Sequence, residues 1–153
     1  MTASDPVSSI AMLIVDLSRL LRRRFEAALA EVDTGLTVAE ARALNFIRRH
    51  PGRRQAVLAE RLNIEPMTLV GYLDSLERAG LVSREVDSAD RRAKIVALTP
   101  AAAPVLGRID LAINRVHREL VGDLPPEQAE RARDVLAAFK ANLLAIDRDG
   151  DCE

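Results

Sequence analysis

Cysteine is almost absent from this 153-residue chain: Cys152, beside the last residue, is the only one. One thiol makes neither an internal disulfide nor a cysteine-cluster zinc site, and a chain end is a poor place for a redox sensor. Cys152 is therefore read as an inert tail residue. Tryptophan is missing, and Phe25, Phe46, Tyr72 and Phe139 are the only aromatics. Alanine and leucine must fill the core, which suits closely packed helices better than a sheet sandwich. His50 and His117 lie far apart, and neither sits in a metal-spaced or nucleophile motif. There is no glycine-rich phosphate loop and no serine or cysteine paired with a base. These absences argue against an enzyme, a metal centre or a bound cofactor. The apolar run Ile10 to Val15 stops at Asp16, far short of the roughly 20 residues that span a bilayer. With no signal-peptide pattern either, the chain is read as cytoplasmic and without a membrane partner.

Charge is nearly balanced, with 22 Lys/Arg against 23 Asp/Glu, so the whole chain is no polycation. Its distribution is uneven. Residues 36–98 hold 11 Lys/Arg against 8 Asp/Glu, and the remainder holds 11 against 15. A mildly basic middle between acidic flanks suits a phosphate-facing module on solvated helical arms.

Three regions follow from the hydrophobic periodicity, within what reads as one structural domain. Residues 1–34 contain a loose leader (1–6) and a helix to about Glu31, with Ile10, Leu13, Ile14, Leu17, Leu20, Leu21 and Phe25 on one face. Residues 35–98 begin with a helix capped by Thr37, with Glu40 three residues on, and ending at His50-Pro51-Gly52. Residues 99–153 carry two more amphipathic helices: one opened by Thr99-Pro100 with Thr99 as cap, and one from about Pro126 to Asp147. The first and last helices exceed what a compact unit needs, and their apolar stripes call for a cover. A two-fold dimer built from these arms is the economical one, and intramolecular packing of the arms as a small bundle is the alternative.

Gln55 to Leu98 carries the chemistry. Ala56 to Leu62 reads as a short helix and Asn63 as a break, and Glu65-Pro66-Met67-Thr68 opens a second helix ending at Gly80. Two strand-like runs, Leu81 to Val86 and Lys94 to Leu98, then flank the turn Asp87 to Arg92. A helix-turn-helix followed by a hairpin places one helix in a major groove and a loop beside it. The fold class is thus mainly α with a small β-hairpin wing, a winged helix-turn-helix between long dimerisation helices.

Candidate DNA contacts follow from this frame. Pro66, Met67, Thr68 and Tyr72 lie on the second helix, whose N-terminal part reaches base edges, with Thr68 and Tyr72 one turn apart; Tyr72 reads equally as a partly buried core ring with its hydroxyl at the surface. In the wing, Arg91, Arg92 and Lys94 gather positive charge suited to a narrow minor groove, and Asp90 is placed to steer Arg92. Arg53, Arg54 and Gln55 stand where backbone and side chains clamp a phosphate. Arg48 and Arg49 read as a solvated helix face, and Arg61 or Arg78 as partners for Glu60, Glu77 and Asp74. Arg19, Arg22 and Arg23 on the first helix are candidates for an anionic effector, beside the plainer reading of a solvated face.

These residues resemble the MarR family of bacterial transcription regulators. The similarity is carried by Gly35-Leu36-Thr37 with Glu40, Leu58 to Leu62, Leu73-Asp74 with Leu76-Glu77, Gly80-Leu81-Val82, Asp87 with Asp90-Arg91-Arg92, and Leu98-Thr99. Glu65-Pro66 with Leu69-Val70, together with Ser88-Ala89-Asp90-Arg91-Arg92-Ala93-Lys94, is most similar to the SlyA-like branch. The resemblance implies a homodimer on a pseudo-palindromic operator, most often a repressor, with small aromatic or phenolic ligands held between dimer helices and winged domain. It also implies that Arg92 enters the minor groove with Asp90 as its orienting partner. One departure stands out: the family often has an arginine where this chain has Gly71. A winged-helix protein-interaction module without operator recognition is the alternative that this departure leaves open.

Overall fold

The computed structural model describes residues 9–150, so Cys152 and the leader at residues 1–6 lie outside it. Two compact units divide the chain, one through Val116 and the other from His117. None of the described helices is long and apolar enough to cross a membrane.

Helix α1 (Ile10–Val32) starts at Ser9, whose hydroxyl accepts from the Met12 N–H at 3.2 Å. Only its second half is anchored: Ala28 and Leu29 are buried, Leu21, Phe25 and Val32 pack against the core, and residues 10–20 are all exposed. Helix α2 (Val38–Arg49) opens on the expected capping box. The Thr37 N–H donates to Glu40 Oε2 at 2.9 Å and the Glu40 N–H donates to Thr37 Oγ1 at 3.2 Å. The pair Arg53–Arg54 forms a two-residue strand, β1, leading into helix α3 (Gln55–Leu62).

Asn63 ends α3 in the left-handed conformation, which an asparagine tolerates, and helix α4 (Pro66–Arg78) follows with its proline at the first helical position. Strands β2 (Val82–Val86) and β3 (Lys94–Leu98) pair antiparallel with Arg84 opposite Val96. Strand β1 adds to the other edge of β3 with Arg53 opposite Val96, giving the order β1-β3-β2. Helices α5 (Ala102–Val121) and α6 (Pro126–Gly150) complete the chain.

The core is aliphatic, as the scarcity of aromatics requires. Leu44, Ile47, Leu58, Leu69, Leu73, Leu76, Val96, Ile109 and Val116 are its largest fully buried side chains. It therefore joins α2, α3, α4, the sheet and α5 into one packed unit that fixes where α4 and the hairpin stand.

Two expectations are corrected and one is refined. Thr99 does not cap the following helix with its side chain: its hydroxyl donates to the Gly80 carbonyl at 2.5 Å, and α5 begins at Ala102. That bond ties the end of β3 to the turn after α4, which a helix cap would not do. Arg48 is exposed, as a solvated helix face should be, but is not unpartnered: it grips Asp110 of α5 through two bonds of 2.9 and 2.7 Å and reaches Asn45 at 2.5 Å. The partner of Asp74 and Glu77 is Arg84 on β2, not a helical neighbour. Arg84 Nη2 lies 2.5 Å from Asp74 Oδ1 and 3.1 Å from Glu77 Oε1.

Candidate nucleic-acid interface

The outward face of α4 follows from its inward one. Leu69, Leu73 and Leu76 are buried, so at 3.6 residues per turn the opposite stripe runs through Met67, Gly71, Asp74 and Arg78, with Thr68 on its shoulder. Met67 is 77% exposed, more than any other large hydrophobic side chain among the described residues. Pro66, Thr68 and Gly71 are also exposed. Of the α4 carboxylates, Asp74 and Glu77 are taken up by Arg84, whose donors pull the Glu77 carboxyl below its ordinary range. That leaves the first two turns of the outer stripe without an ionisable side chain.

Tyr72 stands apart from this stripe. Its ring is half-buried against the core and lines a cleft of about 620 Å³ together with Arg22, Glu26, Leu29, Leu36 and Val38. The wall opposite Tyr72 thus comes from α1 and the turn into α2. Within it, Arg22 Nε lies 3.5 Å from Glu26 Oε1. Arg19 is exposed beside Asp16 at 3.7 Å, and Arg23 is exposed but does not line the cleft.

The hairpin loop is built on two aspartates. Asp87 accepts the Ala89 N–H at 2.9 Å on Oδ1, and the Arg54 Nε at 2.7 Å on Oδ2. It is the one buried charged residue among those described, at 8% exposure. The Ala89 N–H, and after it the Arg54 guanidinium, hold its carboxyl below the usual carboxylate range despite burial. Main-chain bonds from the Asp87 N–H to the Ala93 carbonyl and from the Ala93 N–H to the Asp90 carbonyl close the loop.

Asp90 orients Arg92 through the backbone: its Oδ1 accepts the Arg92 N–H at 3.0 Å. Arg91, Arg92 and Lys94 are all exposed, and among the described residues no side-chain hydrogen bond or ion pair engages the guanidiniums of Arg91 and Arg92. A loop closed by these bonds therefore presents two cations that no side chain among the described residues neutralises.

The three residues expected at a phosphate divide. Arg53 on β1 is exposed, whereas the Arg54 guanidinium is occupied by Asp87. Gln55 turns its Oε1 inward, where it is buried without a hydrogen-bond partner among the described residues. The local sequence pattern places Asp87 only at the start of the hairpin turn. Its separation of 33 residues from Arg54 leaves no local spacing signal by which the pair could be found.

Residues 34–93 match the model of the MarR family. The fold is that of solved MarR-family structures. A MarR-family transcriptional regulator from Rhodococcus sp. RHA1 is 24% identical, with a TM-score of 0.81 over 90% of this chain and 96% of that one. CouR, a transcriptional repressor solved on a 23-mer DNA duplex, is 25% identical, with a TM-score of 0.78 over 90% of this chain and 99% of its own. CouR from Rhodococcus jostii RHA1 has also been solved with p-coumaroyl-CoA. MepR of S. aureus, in complex with DNA, is 23% identical, with a TM-score of 0.76 over 88% of this chain and 98% of that one.

Proposed function

We propose that this chain, whose winged-helix region is of the MarR family, is a transcriptional regulator that binds an operator as a homodimer and acts as a ligand-released repressor. The observation that carries this reading is the wing: two unneutralised arginines on a loop whose shape is fixed by Asp87 and Asp90. A loop held this way meets a minor groove without losing conformational freedom on binding. Helix α4 beside it offers an exposed N-terminal half for the major groove, through Pro66, Met67 and Thr68. Arg53, Arg91 and Lys94 supply phosphate contacts, with Arg92 in the minor groove. Arg54 acts at one remove, by holding Asp87. The loop residues Ser88 to Lys94 favour the SlyA-like branch.

The dimer is supported by exposed apolar side chains. On α1 these are Ile10, Leu13, Ile14, Leu17 and Leu20, and on α6 Val135, Leu136, Leu143 and Ile146. Stripes of this size on long helices are covered by a second copy of the chain, which also doubles the number of recognition helices.

Effector control rests on the cleft. Its volume suits a small aromatic or phenolic molecule, Arg22 supplies a cation for an anionic group, and Tyr72 is carried on the recognition helix itself. A ligand there shifts the population of α4 positions by its differential contact with Tyr72. Arg19 and Arg23 contribute only long-range charge.

The test is selection of genomic fragments by the purified protein, then salt-dependent titration of the best fragment with and without phenolic acids. A pseudo-palindrome bound far above random duplex, and released by a phenolic acid, is the expected result. Sequence-blind binding would favour a winged-helix protein-interaction module instead.

A further inference from the structure

Among the described residues nothing requires glycine at position 71. Gly71 lies in the middle of α4, where glycine costs about 1 kcal/mol relative to alanine. A Cβ built on it meets nothing within 4 Å, and its backbone is not in the left-handed region that favours glycine. Neither crowding nor conformation calls for glycine here, which is equally true of Gly107 on α5; what sets Gly71 apart is its place on the exposed outer stripe of α4.

Its neighbours on the stripe set the chemistry of that face. One turn earlier stands Met67, the most exposed large hydrophobic side chain described, flanked by Thr68 with its methyl group. No cation stands in the first two turns; Arg78 is three turns from Met67, and the carboxylates Asp74 and Glu77 are drawn to Arg84 on the sheet side. This surface offers dispersion contacts and a bare helix backbone but no bidentate donor for guanine. In a major groove the matching feature is the thymine methyl.

Resting on the DNA-binding reading above, we propose that the outer stripe of α4 reads thymine 5-methyl groups. Met67 and the Thr68 methyl pack on them, and Gly71 lets the helix backbone sit against the base edges. Specificity in each half-site then comes from methyl contact and shape, while the charge that holds the duplex comes from the wing and β1.

The experiment replaces the thymines of the selected operator by deoxyuridine one at a time, which removes the 5-methyl and keeps the base pair. At one or two positions per half-site the affinity should fall about four-fold, the worth of one buried methylene. Met67→Ala should weaken the thymine operator by a similar factor and bind the corresponding deoxyuridine operator as the parent protein does. Gly71→Ala, which favours the helix and so does not endanger folding, should weaken specific binding and leave binding to random duplex unchanged. A specific operator indifferent to every deoxyuridine substitution would overturn the methyl reading while leaving the regulator reading intact. So would Met67→Ala losing equally on both duplexes, and Gly71→Ala binding as tightly as the parent would overturn close approach. If no duplex is bound above random sequence, both readings fall together.

Discussion

Arg54 and Asp87 meet across the sheet: the guanidinium closes on one carboxylate oxygen through both Nε and Nη2, at 2.7 Å each. Arg54 sits on β1, immediately before α3, and Asp87 opens the hairpin loop, so the pair clamps the wing to the start of the helix-turn-helix. Such a charge-assisted contact is directional as well as strong. Asp87→Asn keeps an oxygen for the Ala89 N–H and removes the charge that Arg54 pairs with. The variant should fold and keep its helices by circular dichroism, yet bind operator more weakly through a wing no longer held in register. Hydrogen exchange at residues 87–93 should quicken in the same variant. Unchanged exchange there would mean that the main-chain bonds alone fix the loop.

The same carboxylate has a consequence for pH. Its acidity is raised on folding by the Ala89 N–H first and Arg54 second, so the folded state binds its proton less tightly than the unfolded chain does. A depressed carboxylate stabilises the fold fully above its unfolded value of about 3.9, and that contribution is lost as pH falls through the folded value. Glu77 and Asp110 add in the same direction, held down by Arg84 and Arg48. Thermal melts should therefore be flat from pH 7 to about 5 and drop steeply below about 4, with Asp87→Asn showing a shallower drop.

Arg92→Ala tests the wing. Removal of one guanidinium from a groove should cost about 1–3 kcal/mol of operator affinity, and a cation near phosphates also sets the salt slope. Fluorescence anisotropy titrations across salt concentrations should show the slope of log affinity against log salt falling by about one. Asp90→Ala should reproduce part of the loss with the slope unchanged, since Asp90 acts on the Arg92 backbone N–H and carries no contact of its own. A parent-like Arg92→Ala at matched salt would remove the wing from the interface.

Much of this fold is written in short-range patterns, because those patterns are local physics. The Thr37–Glu40 capping box, the break at Asn63 and the strand boundaries near Val86 and Lys94 each depend on a few adjacent residues. What escaped depends on partners far along the chain. Arg48 looks solvated on its own helix, and only the packing of α5 brings Asp110 against it, 62 residues away. Arg84 reads as an ordinary strand residue until β2 lies beside α4. Tyr72 reads equally as a groove contact and as a half-buried core ring, and the return of α1 and α2 makes that ring a cleft wall. Thr99 offers a hydroxyl suited to a helix cap, but the Gly80 carbonyl, left open by the turn after α4, is the acceptor it finds.

The core supplies a prediction with a stated size. Leu73 is fully buried, on the same inward face of α4 as Leu69 and Leu76. Leu73→Ala removes buried methyl groups and leaves a cavity that the surrounding helices fill only in part, a change that costs about 2–5 kcal/mol. Urea denaturation should show a lower midpoint at an unchanged slope. Because Leu73 also sets the seat of α4, operator affinity should fall further than the lost population of folded protein explains.

The proposed dimer is tested on α1. Leu17 lies in the exposed stretch of that helix, in line with Ile10, Leu13, Ile14 and Leu20, and the residues that anchor α1 to the winged helix begin near Leu21. A leucine transferred from water into an apolar interface gains about 1.5–3 kcal/mol, and a glutamate in its place is an unpaired charge that must be buried twice across a two-fold axis. Leu17→Glu should therefore sediment as a monomer at micromolar concentration where the parent sediments as a dimer. The anchoring residues are untouched, so binding to an isolated half-site should survive, weak and salt-sensitive, while binding to the full operator loses the gain from linking two sites. A Leu17→Glu protein that still sediments as a dimer would place the interface elsewhere, and the stripe on α1 would then need another cover.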